Sequence, residues 1–270
     1  MTVRIYSGKQ PVDALDPRDR GLAYGDGVFE TILVDRGAPV WWDAHMVRLQ
    51  RGCAALGIAA PDPDFLRAQS DQLIVGCMRG VLKLIVTRGV GERGYAPPRN
   101  APTTLMLSLS DAPAPSPRDG LVLRWCATTL AMQSRLAGIK HLNRLEQVLA
   151  RAEWDDAAIH EGLLCDADGR VVSAISANLF ALRDGLWLTP PVADCGIAGI
   201  CRAWILDHVA GACEAVLTRA EVESADALIL CNAVRGILPV AALGARRWPL
   251  HPGTSALRES LAMTAPAFAD

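Results

Sequence analysis

Of the 27 lysines and arginines in this chain only three are lysines, and one of them, Lys140, lies in the stretch Leu136-Ala-Gly-Ile-Lys-His-Leu-Asn-Arg-Leu-Glu-Gln147. A sequence that meets nearly every need for positive charge with arginine keeps lysine where guanidinium cannot substitute. Imine formation is such a task, because a lysine ε-amine can lose its proton, attack an aldehyde and later carry a proton, whereas arginine stays protonated and delocalised. Lys140 is therefore the first candidate for chemistry. Lys9 and Lys83 lack comparable surroundings. A second candidate is a cradle: Asp194-Cys-Gly-Ile-Ala-Gly-Ile-Cys-Arg-Ala-Trp204 is a glycine-punctuated loop running into a helix, whose unpaired N–H groups and positive dipole end suit a phosphate. Such loops are common, however, and Arg48, an arginine on an apolar helix, reads equally well as a surface residue with a buried stem.

The elements that must position these groups follow from pattern. Strands are expected at residues 3–6 and 28–34, with Asp35-Arg-Gly37 turning into a third at 39–42. Asp43 is placed to cap a helix whose apolar positions Met46, Leu49, Cys53 and Leu56 recur at helical spacing until Gly57 ends it. A helix at 63–77 and strands at 81–87 and 104–110 complete an N-terminal α+β domain, residues 1–113. Three prolines in residues 111–120 mark a stiff linker. The C-terminal domain, 121–270, should hold a strand at 121–128 and a helix at 143–159, then hairpins turning at Asp166-Ala-Asp-Gly169 and Asp184-Gly185. A helix from Ile200, a strand at 227–231 and a last helix near Thr254 follow.

Composition narrows the class of function. At 270 residues, 51% hydrophobic and 21% charged, the chain is an ordinary globular protein with core enough to need no staples. A net charge of −2 gives no electrostatic reason to expect nucleic acid or an anionic membrane, so a small-molecule substrate is the expected partner. Eight cysteines without any C-x-x-C read as buried thiols in a reducing compartment, and no metal site is expected. The N-terminus has no signal-peptide core and no apolar run reaches membrane-spanning length, so the expected location is cytoplasmic.

Six segments sharpen the reading. Asp19-Arg-Gly-Leu-Ala-Tyr-Gly-Asp-Gly-Val-Phe-Glu-Thr31, His45-Met-Val-Arg-Leu49, Gly138-Ile-Lys-His-Leu-Asn-Arg-Leu-Glu-Gln147, Ser176-Ala-Asn-Leu-Phe180, Cys195-Gly-Ile-Ala-Gly-Ile-Cys-Arg202 and Leu230-Cys-Asn-Ala233 stand in one order along the chain. In that order and approximate spacing they resemble the class-IV aminotransferase-like enzymes, a family that uses pyridoxal 5′-phosphate (PLP) and includes D-amino acid and branched-chain aminotransferases as well as lyases. The resemblance runs from about Tyr6 to about Arg258. It implies an α+β, two-domain fold-type-IV (D-amino acid aminotransferase-like) architecture. In that architecture a smaller N-terminal α/β domain joins a larger C-terminal pseudo-barrel domain, the cofactor lies between them, and the assembly is a homodimer.

Residue by residue, the resemblance implies that Lys140 holds PLP, that Arg48 pairs with its phosphate and that backbone N–H groups of Ile200 and Cys201 complete the phosphate cup. Asn178 belongs to the same cofactor set. Asn232 and Ala233 occupy the stretch where the transaminases place a phosphate-binding threonine, so contact there must come from backbone or from the Asn232 amide. Glu30, Arg93, Tyr95 and Arg144 are candidates to line the substrate pocket, although Glu30 and Tyr95 read equally as loop-packing residues and Arg93 as solvated. Arg88-Gly-Val-Gly-Glu-Arg-Gly-Tyr95 and the Lys140 segment resemble the lyase branch. That branch implies a carbon–oxygen lyase of folate biosynthesis that splits 4-amino-4-deoxychorismate into 4-aminobenzoate and pyruvate, with Lys140 as the base.

One position departs from the family. Where it usually has a glutamate, five residues before the asparagine of Asn-Leu-Phe, this chain has Ser173. A neutral serine cannot hold the pyridine nitrogen protonated by charge, which weakens the electron sink that transamination needs and favours elimination. A D-amino acid or branched-chain aminotransferase and a PLP-binding protein without turnover remain the alternatives; at Ser173 itself the alternatives are a carboxylate from elsewhere filling the slot or a segment shifted by one residue.

Overall fold

Alternation of apolar side chains along long antiparallel strands builds the first of two units in this computed structural model, which describes residues 2–99 and 101–269. The first unit comprises residues 1–113 together with 139–143, the second 114–138 together with 144–270. Lys140, expected in the C-terminal domain, therefore belongs to the first unit.

In that unit β1 (Thr2–Ser7), β2 (Gln10–Val12), β3 (Gly27–Asp35), β4 (Ala38–Pro39), β5 (Arg79–Thr87) and β6 (Thr104–Asp111) form one antiparallel sheet in the order β2-β1-β6-β5-β3-β4. Val28, Ile32 and Val34 of β3, Leu82, Leu84 and Val86 of β5, and Leu105 and Leu107 of β6 alternate onto one buried face. A short helix α1 (Arg20–Tyr24) precedes β3, and α2 (Trp42–Leu56) and α3 (Pro63–Ile74) bury Met46, Leu49, Cys53, Leu66, Leu73 and Ile74 in the same core. The strand expected at 39–42 stops at Pro39, because Trp41 turns left-handed (φ 55°) and opens α2. Asp43 is thus not the cap; it sits in the first turn, where its charge still complements the dipole. Asp62 caps α3 with Pro63 at its first position, and the helix ends at Ile74 rather than residue 77 because Gly76 (φ 77°) reverses the chain.

The second unit contains β7 (Leu121–Leu130), α4 (Leu145–Arg151), β8 (Glu161–Asp166), β9 (Val171–Ala174), β10 (Asn178–Arg183), β11 (Leu186–Thr189), α5 (Ile200–His208), β12 (Cys213–Glu214), α6 (Arg219–Glu223), β13 (Ala227–Asn232), β14 (Gly236–Leu243), β15 (Arg246–Arg247) and α7 (Pro252–Thr264). Its nine-stranded mixed sheet runs β12-β11-β10-β13-β14-β7-β8-β9, with β15 on β14. Buried runs through β10, β13 and β14 show that these strands are covered on both faces. Only residues 145–151 of the helix expected over 143–159 are helical. Beyond them the Glu153 carboxylate leaves helical register to accept the Ala127 and Thr128 N–H groups at 2.8 Å each, tying the chain to β7. Among the described residues no helix is long and apolar enough to cross a membrane.

Candidate active site

Glycines decide where the Lys140 segment can lie. It runs antiparallel beside the start of β3: Phe29 N–H donates to Lys140 O (2.9 Å), Leu142 N–H to Gly27 O (3.0 Å), and His141 bridges Val28. A Cβ on Gly27 would stand 2.5 Å from Val86 O and 2.7 Å from Leu142 Cδ1, and one on Gly25, already at φ 65°, would stand 2.2 Å from Asn143 Oδ1. The Gly-Asp-Gly spacing before β3 is therefore the space into which the lysine segment fits. Ile139, the residue before the lysine, is buried against the core. Lys140 Nζ lies 4.3 Å from the Phe29 ring centroid, close enough for the ring face to attract a cation.

On the helix-facing side of β3 stands Glu30, only 1% exposed. Arg48 Nε donates to its Oε1 (2.8 Å) and Nη2 to its Oε2 (2.5 Å), while His45 Nδ1 lies 2.6 Å from Oε2. Burial pushes the Glu30 carboxyl up, but the bonds from Arg48 and His45 outweigh it and hold the group below its ordinary range. Burial pushes the His45 imidazole down and keeps it neutral. Glu30 thus grips two side chains of α2.

The remaining substrate candidates of this unit lie on the segment after β5. Tyr95 is 85% exposed and packs its ring 5.5 Å from Tyr24; Arg93 is exposed too. Their backbone is fixed by a residue to which the sequence assigned no role. Buried Arg20 donates to Gly94 O (3.0 Å), Tyr95 O (3.1 Å) and Ala96 O (3.4 Å) while pairing with Asp26 at 2.8 Å.

In the second unit the loop before α5 is held from β10. Asn178 Nδ2 donates to Ile197 O (3.0 Å), and a Cβ on Gly199 would come within 1.9 Å of Asn178 Oδ1. No side chain caps α5, so the N–H groups of Ile200 and Cys201 open the helix with its dipole uncompensated. Asn232 also has a local structural role. Its Oδ1 accepts from Val234 N (3.0 Å) and Arg235 N (2.8 Å), and its Nδ2 donates to Ser176 O (3.4 Å), so its amide closes the turn after β13. Arg144 is half-buried at the start of α4, and burial pushes its guanidinium below its ordinary value.

Ser173 lies half-buried on β9 opposite Leu164. Glu161, at the start of β8, is set by alternation on the face of Leu163 and Ala174, away from Ser173. There it is bonded to the Ser176 hydroxyl and the Gly162 N–H, and burial pushes it above the ordinary carboxylate range. Among the described residues no cluster of three or more His, Cys, Asp or Glu could hold a metal ion. Taken separately, the first unit offers a lysine amine, a group type suited to an aldehyde, and a guanidinium, while the second offers an uncapped helix end; the last two are each group types suited to a phosphate.

The model of the family amino-transferase class IV matches residues 27–243, and the chain belongs to that family. It is 32% identical to the aminodeoxychorismate lyase of Vibrio harveyi over 84% of this chain and 86% of that one. The solved 4-amino-4-deoxychorismate lyase of Pseudomonas aeruginosa is 43% identical, with a TM-score of 0.90 over 96% of this chain and 98% of that one. A D-alanine aminotransferase of Bacillus licheniformis is 28% identical over 85% of this chain and 83% of the relative. The fold is the two-domain α+β architecture of fold type IV.

Proposed function

We propose that this chain is a PLP-dependent carbon–oxygen lyase that converts 4-amino-4-deoxychorismate to 4-aminobenzoate and pyruvate. The observation that carries the reading is Lys140, fixed by backbone bonds along β3 with its Nζ over Phe29, in a chain 43% identical across 96% of its length to a lyase of that name. When bound, PLP supplies an aldehyde for the substrate amine and a ring that accepts electron density from the neighbouring carbon. Lys140 Nζ holds the cofactor between turnovers, then takes the proton from the amine-bearing ring carbon as the enolpyruvyl oxygen leaves. Its fixed backbone supplies the alignment that makes this transfer intramolecular. Arg48 and the α5 N-terminus are the anion-binding groups of their respective units. Arg93, Tyr95 and Arg144 are assigned to the substrate, while Glu30 serves through Arg48.

Ser173 favours elimination over transamination. Glu161, at the start of β8, lies on the opposite face of the strand from Ser173. Purified protein should absorb in the visible and release pyruvate from aminodeoxychorismate, and Lys140→Ala should lose both; a variant that keeps its turnover sinks the reading. Rapid amino transfer from D-alanine to a keto acid would favour the aminotransferase instead.

The reading includes a homodimer, supported by the exposed stripe Leu145 (76%), Val148 (61%) and Leu149 (62%), one apolar face of α4. Light scattering on Leu149→Glu should show a shift toward monomer. A cytoplasmic location is likewise proposed, since the eight cysteines are all free and a reducing compartment keeps them so.

A further inference from the structure

We propose that His45 is a positioning residue for anion binding: by donating to Glu30 it fixes the carboxylate that in turn fixes the guanidinium of Arg48. The inference rests on the PLP reading above. Glu30 occupies a strand position whose neighbours on the same face, Val28 and Ile32, are buried apolar residues, so a leucine would satisfy the packing there. A buried ion pair contributes little or nothing over such an apolar replacement, because desolvation offsets the attraction. His45 adds a further cost, since its ring is fully buried and Nε2 has no hydrogen-bond partner. The network is uneconomical as core and must be explained by what it orients.

Its geometry says what that is. Two bonds hold the Nε and Nη2 edge of Arg48 against the Glu30 carboxylate, so the orientation of the guanidinium follows that of the carboxylate. Oε2 is shared between Arg48 and His45, which lie three residues apart on one face of α2. Because Glu30 is anionic, Nδ1 of the neutral imidazole is the donor. Removing that donor leaves the carboxylate free to rotate about its last torsion, and the guanidinium must follow. His45 therefore acts on a phosphate it does not touch.

The test compares two aldehydes on apoprotein, PLP and pyridoxal, which lacks the phosphate, by titrating the imine absorbance and recording thermal midpoints. His45→Leu should weaken PLP on the order of tenfold, the worth of one charge-assisted hydrogen bond, and leave pyridoxal unchanged. His45→Asn, whose amide replaces the Nδ1 donor, should restore most of that loss. If His45→Leu does not fold, His45→Gln, whose amide reaches the Nε2 position instead, must weaken PLP selectively for the proposal to stand. Equal weakening of both aldehydes, or undiminished PLP affinity, overturns it. Wild-type protein that forms an imine with neither aldehyde overturns the functional reading itself, and this proposal with it.

Discussion

Replacing Gly199 by alanine isolates the loop that precedes α5. Its backbone (φ −69°, ψ 143°) is open to any residue, so the whole effect must come from the new Cβ, which would sit 1.9 Å from Asn178 Oδ1 and 3.1 Å from its Cγ. Asn178 is buried and cannot move without losing its 3.0 Å bond to Ile197 O. Breaking that bond inside the protein and forcing the side chain off its rotamer costs together about 2–3 kcal/mol. At roughly 2–4 °C per kcal/mol for a unit of this size, calorimetry of the apoprotein should show a midpoint lowered by about 4–12 °C. Asn178→Ala alone should cost about 1–3 kcal/mol, because Ile197 O loses its donor. In that background Gly199→Ala should add less than about 0.5 kcal/mol, since nothing remains for the Cβ to strike. Additive losses, or a Gly199→Ala midpoint equal to wild type, would refute the claim that this glycine exists to admit the asparagine.

Other consequences can be checked as directly. Lys140→Ala should abolish the visible band and lower pyruvate release by roughly 10²–10⁴-fold or more, the range for a lost general base. Ser173→Glu should raise amino transfer to keto acids at the expense of pyruvate release; no rise in transfer argues against a neutral ring environment. Arg20→Lys keeps the charge beside Asp26 but not three carbonyl bonds, so limited proteolysis should cut residues 91–99 faster and KM should rise more than kcat falls; unchanged cleavage would show that the segment holds itself. Apoprotein stability should fall in two stages on acidification. Both folded values are depressed, so the stability each group gives is present above its unfolded value and lost as pH drops through its folded value: His45 from below 6.5, with Arg48 and Lys140 pushing the same way and Glu30 opposing, then Glu30 from below 4.5. Denaturant titrations of His45→Asn should lack the first stage and keep the second.

Lys140, the glycine loop and most strands are legible in the sequence because each depends on local chemistry or on a period of two. What escapes it depends on pairing. The imidazole three positions before Arg48 sits in a recognisable motif, yet its contact with Glu30 appears only when β3 brings that residue against α2. That the Asn232 oxygen closes its own turn shows only once the end of β13 is fixed. The helix expected over 143–159 has the right periodicity, but Glu153 finds two backbone donors on β7 that a continued helix could not reach. The linker at 111–120 suggests a simple division of the chain, whereas residues 139–143 return to the first unit through bonds to Gly27 and Phe29.

That return explains why β3 matters more than its length suggests. Phe29 and Glu30 are successive residues of one strand and so face opposite sides of the sheet, the first beneath the Lys140 amine and the second in the grip of Arg48 and His45. The amine and the guanidinium are thus referred to a single rigid backbone. Their registration is fixed by the nine-residue ladder to β5, in which Phe29 pairs with Ile85 and Glu30 with Leu84. A slip of one residue would turn the carboxylate to the lysine face and the phenyl ring toward α2, breaking both arrangements at once and placing Val28, Ile32 and Val34 outside the core. The hydrophobic alternation that makes such a slip costly is therefore also what holds the two chemical groups in place, and core and site are specified by the same residues.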